Sequence, residues 1–283
     1  IMRGKAQSTW IFSVDRCLGR TARAARGRLR RRQAIFAKMS KNMPGSVDNR
    51  SELGYNSPII MKELGGMRMR GKLVEECGIF GIAQSPLDGH IQPAVEAYLA
   101  LFALQHRGQE ACGLAVSNNR NLTCVKDLGL VNDVLLPETL ERLPGQMAMG
   151  HVRYSTTGTN TRENAQPILV HHMKGSLAVA HNGNLVNADK LRGEIERSGG
   201  IFQTTSDSEV IAHCIVRERL KTPSIEMAVL NCMGQIKGAY SLVVMSPQKL
   251  IAARDPEGFR PLCLGKKNNS WVFASESCAL DAI

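Results

Sequence analysis

One octapeptide constrains this chain more than any other part of it: Glu75-Glu76-Cys77-Gly78-Ile79-Phe80-Gly81-Ile82. A thiol stands directly before an alternating apolar run that reads as a buried strand. Cys attacks carbonyl carbon well only as thiolate, so a catalytic Cys77 needs a base beside it. No His lies close by in sequence. Cutting the chain before Cys77 supplies one, because the freed α-amine titrates near ~8, close to working pH. The plainer reading of a lone cysteine is a buried structural thiol. The blocks downstream decide between the two.

In order along the chain come Leu104-Gln105-His106-Arg107-Gly108-Gln109-Glu110 and Gly150-His151-Val152-Arg153-Tyr154-Ser155-Thr156. Ala180-His181-Asn182-Gly183-Asn184-Leu185 and Thr205-Ser206-Asp207-Ser208-Glu209 follow. Arg254-Asp255-Pro256-Glu257-Gly258-Phe259-Arg260-Pro261-Leu262 and Ala274-Ser275-Glu276-Ser277 complete the series. With the Cys77 block, these segments resemble the N-terminal-nucleophile (class II) glutamine amidotransferases, from Cys77 to the last residue. The sugar-isomerising members, such as glucosamine-6-phosphate synthase, usually carry Trp in the block where this chain has Tyr154. Tyr154 and Gly183-Asn184-Leu185-Val186-Asn187 are more similar to the phosphoribosyl-transferring branch, which begins purine synthesis.

The resemblance implies a four-layer αββα sandwich. It implies Cys77 as nucleophile with its own α-amine as base, after a cut between Glu76 and Cys77. Asn182 and Gly183 would form the oxyanion hole, as a side-chain amide and a backbone N–H. Read alone, Asn-Gly is a hairpin turn. Arg153 would clamp the glutamine α-carboxylate, Thr156 would add a hydroxyl, and Asp207 would pair with the α-ammonium. The plainer readings are a surface Arg and an acid favoured by a helix N-terminus. His106-Arg107-Gly108-Gln109 is expected to shape a helix end beneath the site, Asp255 and Arg260 to form a structural ion pair, and His151 and His181 to be satisfied core histidines.

By the same resemblance, ammonia released at Cys77 would pass to phosphoribosyl pyrophosphate on a phosphoribosyltransferase domain absent from these residues, giving 5-phosphoribosylamine. Longer members use Mg2+ there, and those with a propeptide often hold a 4Fe–4S cluster. No cofactor or metal is expected within residues 77–283, which are expected to be incomplete at their C-terminal end. A full-length homo-oligomer, a cytoplasmic location and no membrane partner complete the expectation. The alternatives are the glutaminase part of another class II amidotransferase and a basic nucleic-acid-binding protein.

Charge bears on that last alternative. The chain has 283 residues and a net charge of +11. Residues 1–38 hold 11 of the 36 Lys and Arg and one acid, Asp15, so this segment is +10 and residues 39–283 carry +1. The basicity belongs to a leader and not to the body, which argues against a nucleic-acid surface. Arg-rich, acid-poor composition also marks transit peptides. Residues 1–38 are read as upstream sequence translated from a wrong start, with Met39 and Met43 as candidate true starts. Residues 39–76 are read as a flexible propeptide-like segment, and 77–283 as the amidotransferase domain.

Eight cysteines show no Cys-x-x-Cys pair and no zinc spacing, which fits a reduced protein. Strands are predicted over 78–83, 112–117, 121–126, 147–152, 176–181, 240–245, 250–254 and 271–274. Helices are predicted over 93–105, with Val95, Tyr98, Leu99 and Phe102 on one face, over 187–197, from a capping box Ser206–Glu209 to Leu220, and over 224–235. Strands in batches with helices between them point to α+β layers with antiparallel sheets.

Overall fold

The computed structural model describes residues 10–15, 77–154 and 161–283. In chain order, β1 (Trp10–Asp15) and β2 (Gly78–Ala83) precede α1 (Pro93–Ala103) and the hairpin β3 (Ala111–Ser117) and β4 (Leu122–Leu128). Short helices α2 (Val131–Val134) and α3 (Pro137–Glu141) lead to β5 (Met147–Arg153), β6 (Ile168–His172) and β7 (Gly175–Leu185). Helices α4 (Ala188–Arg197), α5 (Asp207–Lys221) and α6 (Ile225–Met233) follow. The chain continues through β8 (Gly238–Met245), β9 (Lys249–Arg254), β10 (Cys263–Lys267), β11 (Ser270–Ala274) and α7 (Cys278–Asp281).

Period-two alternation sorts these strands into layers. In β2, Phe80 and Ile82 point to the cluster containing Ala97, Ala100 and Leu101 of α1. Ile79 and Ala83 point the other way, to Ala178, Ala180 and Val243 of a second sheet. Both faces of β2 are therefore buried, and its sequence is apolar throughout. The first sheet has the order β10-β11-β2-β5-β3-β4, and the second β1-β9-β8-β7-β6. Every pairing is antiparallel. Helices α1 and α7 cover the first sheet, while α4, α5 and α6 cover the second. The result is the expected four-layer αββα sandwich.

Several local expectations need correction. The face of α1 toward the sheet is Ala94, Ala97, Ala100 and Leu101, whereas Leu99 and Phe102 are exposed. The helix lies too close to the strands for large side chains. A Cβ on Gly150 would sit 2.5 Å from Leu101 Cδ1, so glycine there makes room for a fully buried Leu101. Burying a Leu side chain contributes about 1.5–3 kcal/mol. Strand β7 runs on to Leu185, past the predicted end at 181. Strands β6 and β10 had no predicted counterpart. The leader contributes β1, although residues 1–38 were read as lying outside the folded body; the 39–76 reading falls outside the described residues. Asn187 does precede α4, but its side chain bridges Gln235 O and Lys237 N instead of capping the helix. Ser206 caps α5 through Ser208 N, while Glu209 accepts from Gln203 and Thr204 N–H groups in place of the predicted box.

Candidate active site

Cys77 stands at the mouth of β2, a central strand of the first sheet, with 8% of its surface exposed. Its φ of 58° lies in the left-handed region that a residue with a Cβ rarely adopts. Arg107 holds that conformation from both sides. The Cys77 backbone N–H donates to Arg107 O at 3.1 Å, and Arg107 Nε donates to Cys77 O at 2.6 Å. Arg107 closes the short 3-10 turn Gln105–Arg107 after α1, and its side chain is 3% exposed. Its guanidinium also pairs with Glu276, which His106 Nε2 meets at 3.0 Å. Burial opposes the charge of Glu276, yet Arg107 and His106 outweigh it and hold the carboxyl below its usual range.

Gly78 pairs with Val152, which brings the end of β5 beside Cys77. Cys77 Sγ–H donates to Tyr154 O at 3.5 Å. Arg153, between Val152 and Tyr154, is buried rather than a surface side chain. Thr156 lies outside the described residues.

Asn182 and Gly183 belong to β7 and pair with Ser241 and Tyr240 of β8, so the hairpin-turn reading does not hold. Gly183 has φ 151°, and a Cβ there would lie 2.0 Å from Ala239 O. Only glycine fits so close a backbone approach. Asn182 is fully buried; its Nδ2 is 3.5 Å from Ser275 Oγ, and its Oδ1 has no partner among the described residues. Ser275 links the two sheets: its Oγ accepts from Ile79 N at 2.9 Å and its N–H donates to Ile79 O at 3.0 Å. Asn182 is thereby tied to the strand that carries Cys77.

Asp207 opens α5, and its Oδ2 accepts from Leu185 N at 2.9 Å, joining the helix to the end of β7. Burial alone would raise its pKa, but His181 and the N–H groups of Leu185 and Ser208 turn the shift downward. His181 Nδ1 lies 3.6 Å from Asp207 Oδ1 and 3.2 Å from Ser208 Oγ. His151 Nε2 must donate to His181 O at 3.1 Å, since a carbonyl only accepts, and burial pushes its pKa down to about 3. Both histidines are buried and hydrogen-bonded, as core residues are. Asp255 receives N–H groups from Tyr240, Phe259 and Arg260, fixing the turn after β9.

The sequence singled out Cys77, Arg153, Thr156, Asn182, Gly183 and Asp207, and missed Arg107 and Glu276 as the residues that hold Cys77. The only signal was a buried-type pair split by 169 positions, which no local pattern reveals. His106, Glu276 and Cys278 place one potential metal-ligand atom each within 4.8 Å. Arg107 already balances Glu276, and burial together with Glu276 pushes the Cys278 thiol pKa up, away from the thiolate a metal needs. Among the described residues all seven cysteines are free, and no four of them converge as a 4Fe–4S cluster would require. A cavity of about 710 Å³ near Lys126, Arg162 and Glu209 is lined by none of Cys77, Arg153, Asn182, Gly183 and Asp207. No helix among the described residues is long and apolar enough to cross a membrane.

The family model described as a glutamine amidotransferase domain matches residues 151–282. An amidophosphoribosyltransferase of Methanocaldococcus jannaschii is 49% identical over 207 residues, covering 73% of this chain and 43% of that protein. A chloroplastic amidophosphoribosyltransferase of Arabidopsis thaliana is 47% identical over 213 residues, 75% of this chain and 39% of that protein. Among solved structures, the glutamine phosphoribosylpyrophosphate amidotransferase from B. subtilis, complexed with ADP and GMP, matches with TM-score 0.66 and 42% identity. It covers 73% of this chain and 43% of the other. The chain thus spans less than half the length of these relatives. Neither the sugar-isomerising nor the nucleic-acid alternative is favoured by these matches. With its αββα sandwich, the chain is similar over about three quarters of its own length to the phosphoribosylpyrophosphate amidotransferases, and residues 151–282 match a glutamine amidotransferase domain.

Proposed function

We propose that residues 77–283 hydrolyse glutamine at Cys77. The observation that carries this reading is the grip of Arg107 on both backbone polar groups of a cysteine in the left-handed conformation at a strand mouth. Cleavage of the Glu76–Cys77 bond turns a non-basic amide nitrogen into an α-amine, still within reach of Arg107 O. That amine takes the thiol proton as Sγ bonds to the glutamine side-chain carbonyl carbon. The carbonyl oxygen gains negative charge, met by Asn182 Nδ2 and Gly183 N–H. The C–N bond then breaks, the amine returns the proton, and ammonia leaves. Water attacks the thioester and releases glutamate and the thiol. Arg153 and Asp207 bracket the substrate's α-carboxylate and α-ammonium, with Thr156 adding a hydroxyl contact.

In the complete protein, ammonia would pass to phosphoribosyl pyrophosphate on a further domain, giving 5-phosphoribosylamine at the start of purine synthesis. The identity to amidophosphoribosyltransferases supports this acceptor. A cytoplasmic, homo-oligomeric enzyme using Mg2+ on that further domain is part of the same proposal.

The test is the N-terminal residue of purified protein by intact mass, followed by glutamate release from glutamine. A chain beginning at Cys77, active and silenced by Cys77→Ala, is the expected result. Active protein that keeps Glu76 attached would refute the α-amine as base.

A further inference from the structure

Strand β1 comes from the leader, yet it forms the edge of the five-stranded sheet, in register with β9 from Trp10↔Arg254 to Asp15↔Lys249. Its side chains alternate between two environments. Phe12 and Val14 pack into the core between the sheets, and the Phe12 ring lies 4.9 Å from Trp271 and 5.5 Å from Phe273. Ile11 packs against the cluster beneath α5 and α6, and Ser13 Oγ donates to Glu226 Oε1 of α6 at 3.2 Å. Lys249 Nζ ties the end of the strand, 3.7 Å from Asp15 and 2.6 Å from Glu226. Each of these contacts is made to residues beyond Cys77. Cutting the chain before Cys77 breaks none of them.

We propose that the β9 edge is a strand-accepting surface, and that Trp10–Asp15 stays docked on it as a separate peptide once the chain is cut. The cut itself rests on the N-terminal-nucleophile reading; the docking does not. The occupant is an extended segment with an aromatic side chain and, two residues on, a β-branched one facing inward, and a small hydroxyl residue between them facing α6. Backbone pairing supplies attachment, and the Phe12 position supplies selectivity. An open β9 edge beside Trp271 and Phe273 would otherwise expose pairing groups next to apolar rings.

The experiment uses the full chain with a protease site inserted between residues 40 and 41, so that cutting does not depend on self-processing. After digestion, size exclusion at high salt and intact mass show whether the leader peptide travels with the body; salt removes retention by exposed charge alone. Co-elution is expected. Phe12→Ala is expected to weaken retention roughly tenfold or more. Ser13→Pro with Val14→Pro is expected to abolish it, because adjacent positions point their N–H groups to opposite sides and one of them must face β9. If that variant precipitates after cutting, a synthetic peptide of residues 8–17 is expected to keep it soluble, and failure of this rescue counts against the proposal. Release of the unsubstituted leader from a body that keeps its circular dichroism would overturn the proposal. So would retention that survives the proline pair. An unmodified chain that never separates Glu76 from Cys77 refutes only the natural cut and leaves the result at the inserted site standing.

Discussion

Replacing Arg107 by Ala removes a side chain that binds both the Cys77 carbonyl and Glu276. A hydrogen bond from a charged donor to a buried carbonyl contributes about 1.5–3 kcal/mol. Glu276 keeps about a quarter of its side-chain surface in water, so its pairing is screened and adds about 1 kcal/mol or less. The expected loss is therefore about 2–4 kcal/mol, measured as a lower urea midpoint at unchanged slope. Acidity separates the two parts. The folded-state pKa of Glu276 is depressed below 4.5, so its contribution is full above that value and disappears as pH falls through the folded pKa. Glu276→Gln should then match the parent chain in strong acid and fall below it at neutral pH. Arg107→Ala should stay less stable throughout, since the Cys77 carbonyl loses the charged Arg107 donor at every pH. In the glutaminase assay the loss should exceed the unfolded fraction, because Cys77 is no longer held in the left-handed conformation. Arg107→Ala protein within about 0.5 kcal/mol of the parent and equally active would refute this account.

Asn182→Ala is expected to lower kcat for glutamine hydrolysis by about 10²–10³; its melting temperature should change little, because its amide makes one long contact, to Ser275. Gly183→Ala places a Cβ 2.0 Å from Ala239 O, so unfolding in urea should show a loss of about 3 kcal/mol or more. His151 stays neutral in the fold down to about pH 3, while the unfolded chain takes up its proton below 6.5. Its contribution is full above 6.5 and is lost progressively toward pH 3, so melting temperature measured against pH should fall less steeply in His151→Gln.

Antiparallel layers were legible because β2, β5 and β7 are apolar on both faces and the turn residues between them are plain. Helix starts at Ser206 and Ser224 were legible for the same local reason: a hydroxyl before a helical segment caps it. The face of α1 was not. Periodicity put the large side chains inward, but glycines on β2 and β5 bring the helix so near that Ala and Leu101 fill the space. The Asn182-Gly183 dipeptide reads locally as a turn, and only pairing with β8 keeps it extended.

By itself, then, the sequence determined the alternation of strands and helices, the ordered blocks by which the chain resembles the glutamine amidotransferases, and the residues proposed to act with Cys77. These are local quantities, set by side-chain size, polarity and spacing. Tertiary structure alone decided what holds Cys77 in its left-handed conformation and what lies at the edge of β9. Arg107 meets Glu276 across 169 positions, and Trp10–Asp15 meets Lys249–Arg254 across more than 230. Such contacts depend on how the layers close on one another, and no periodicity in the chain encodes that closure.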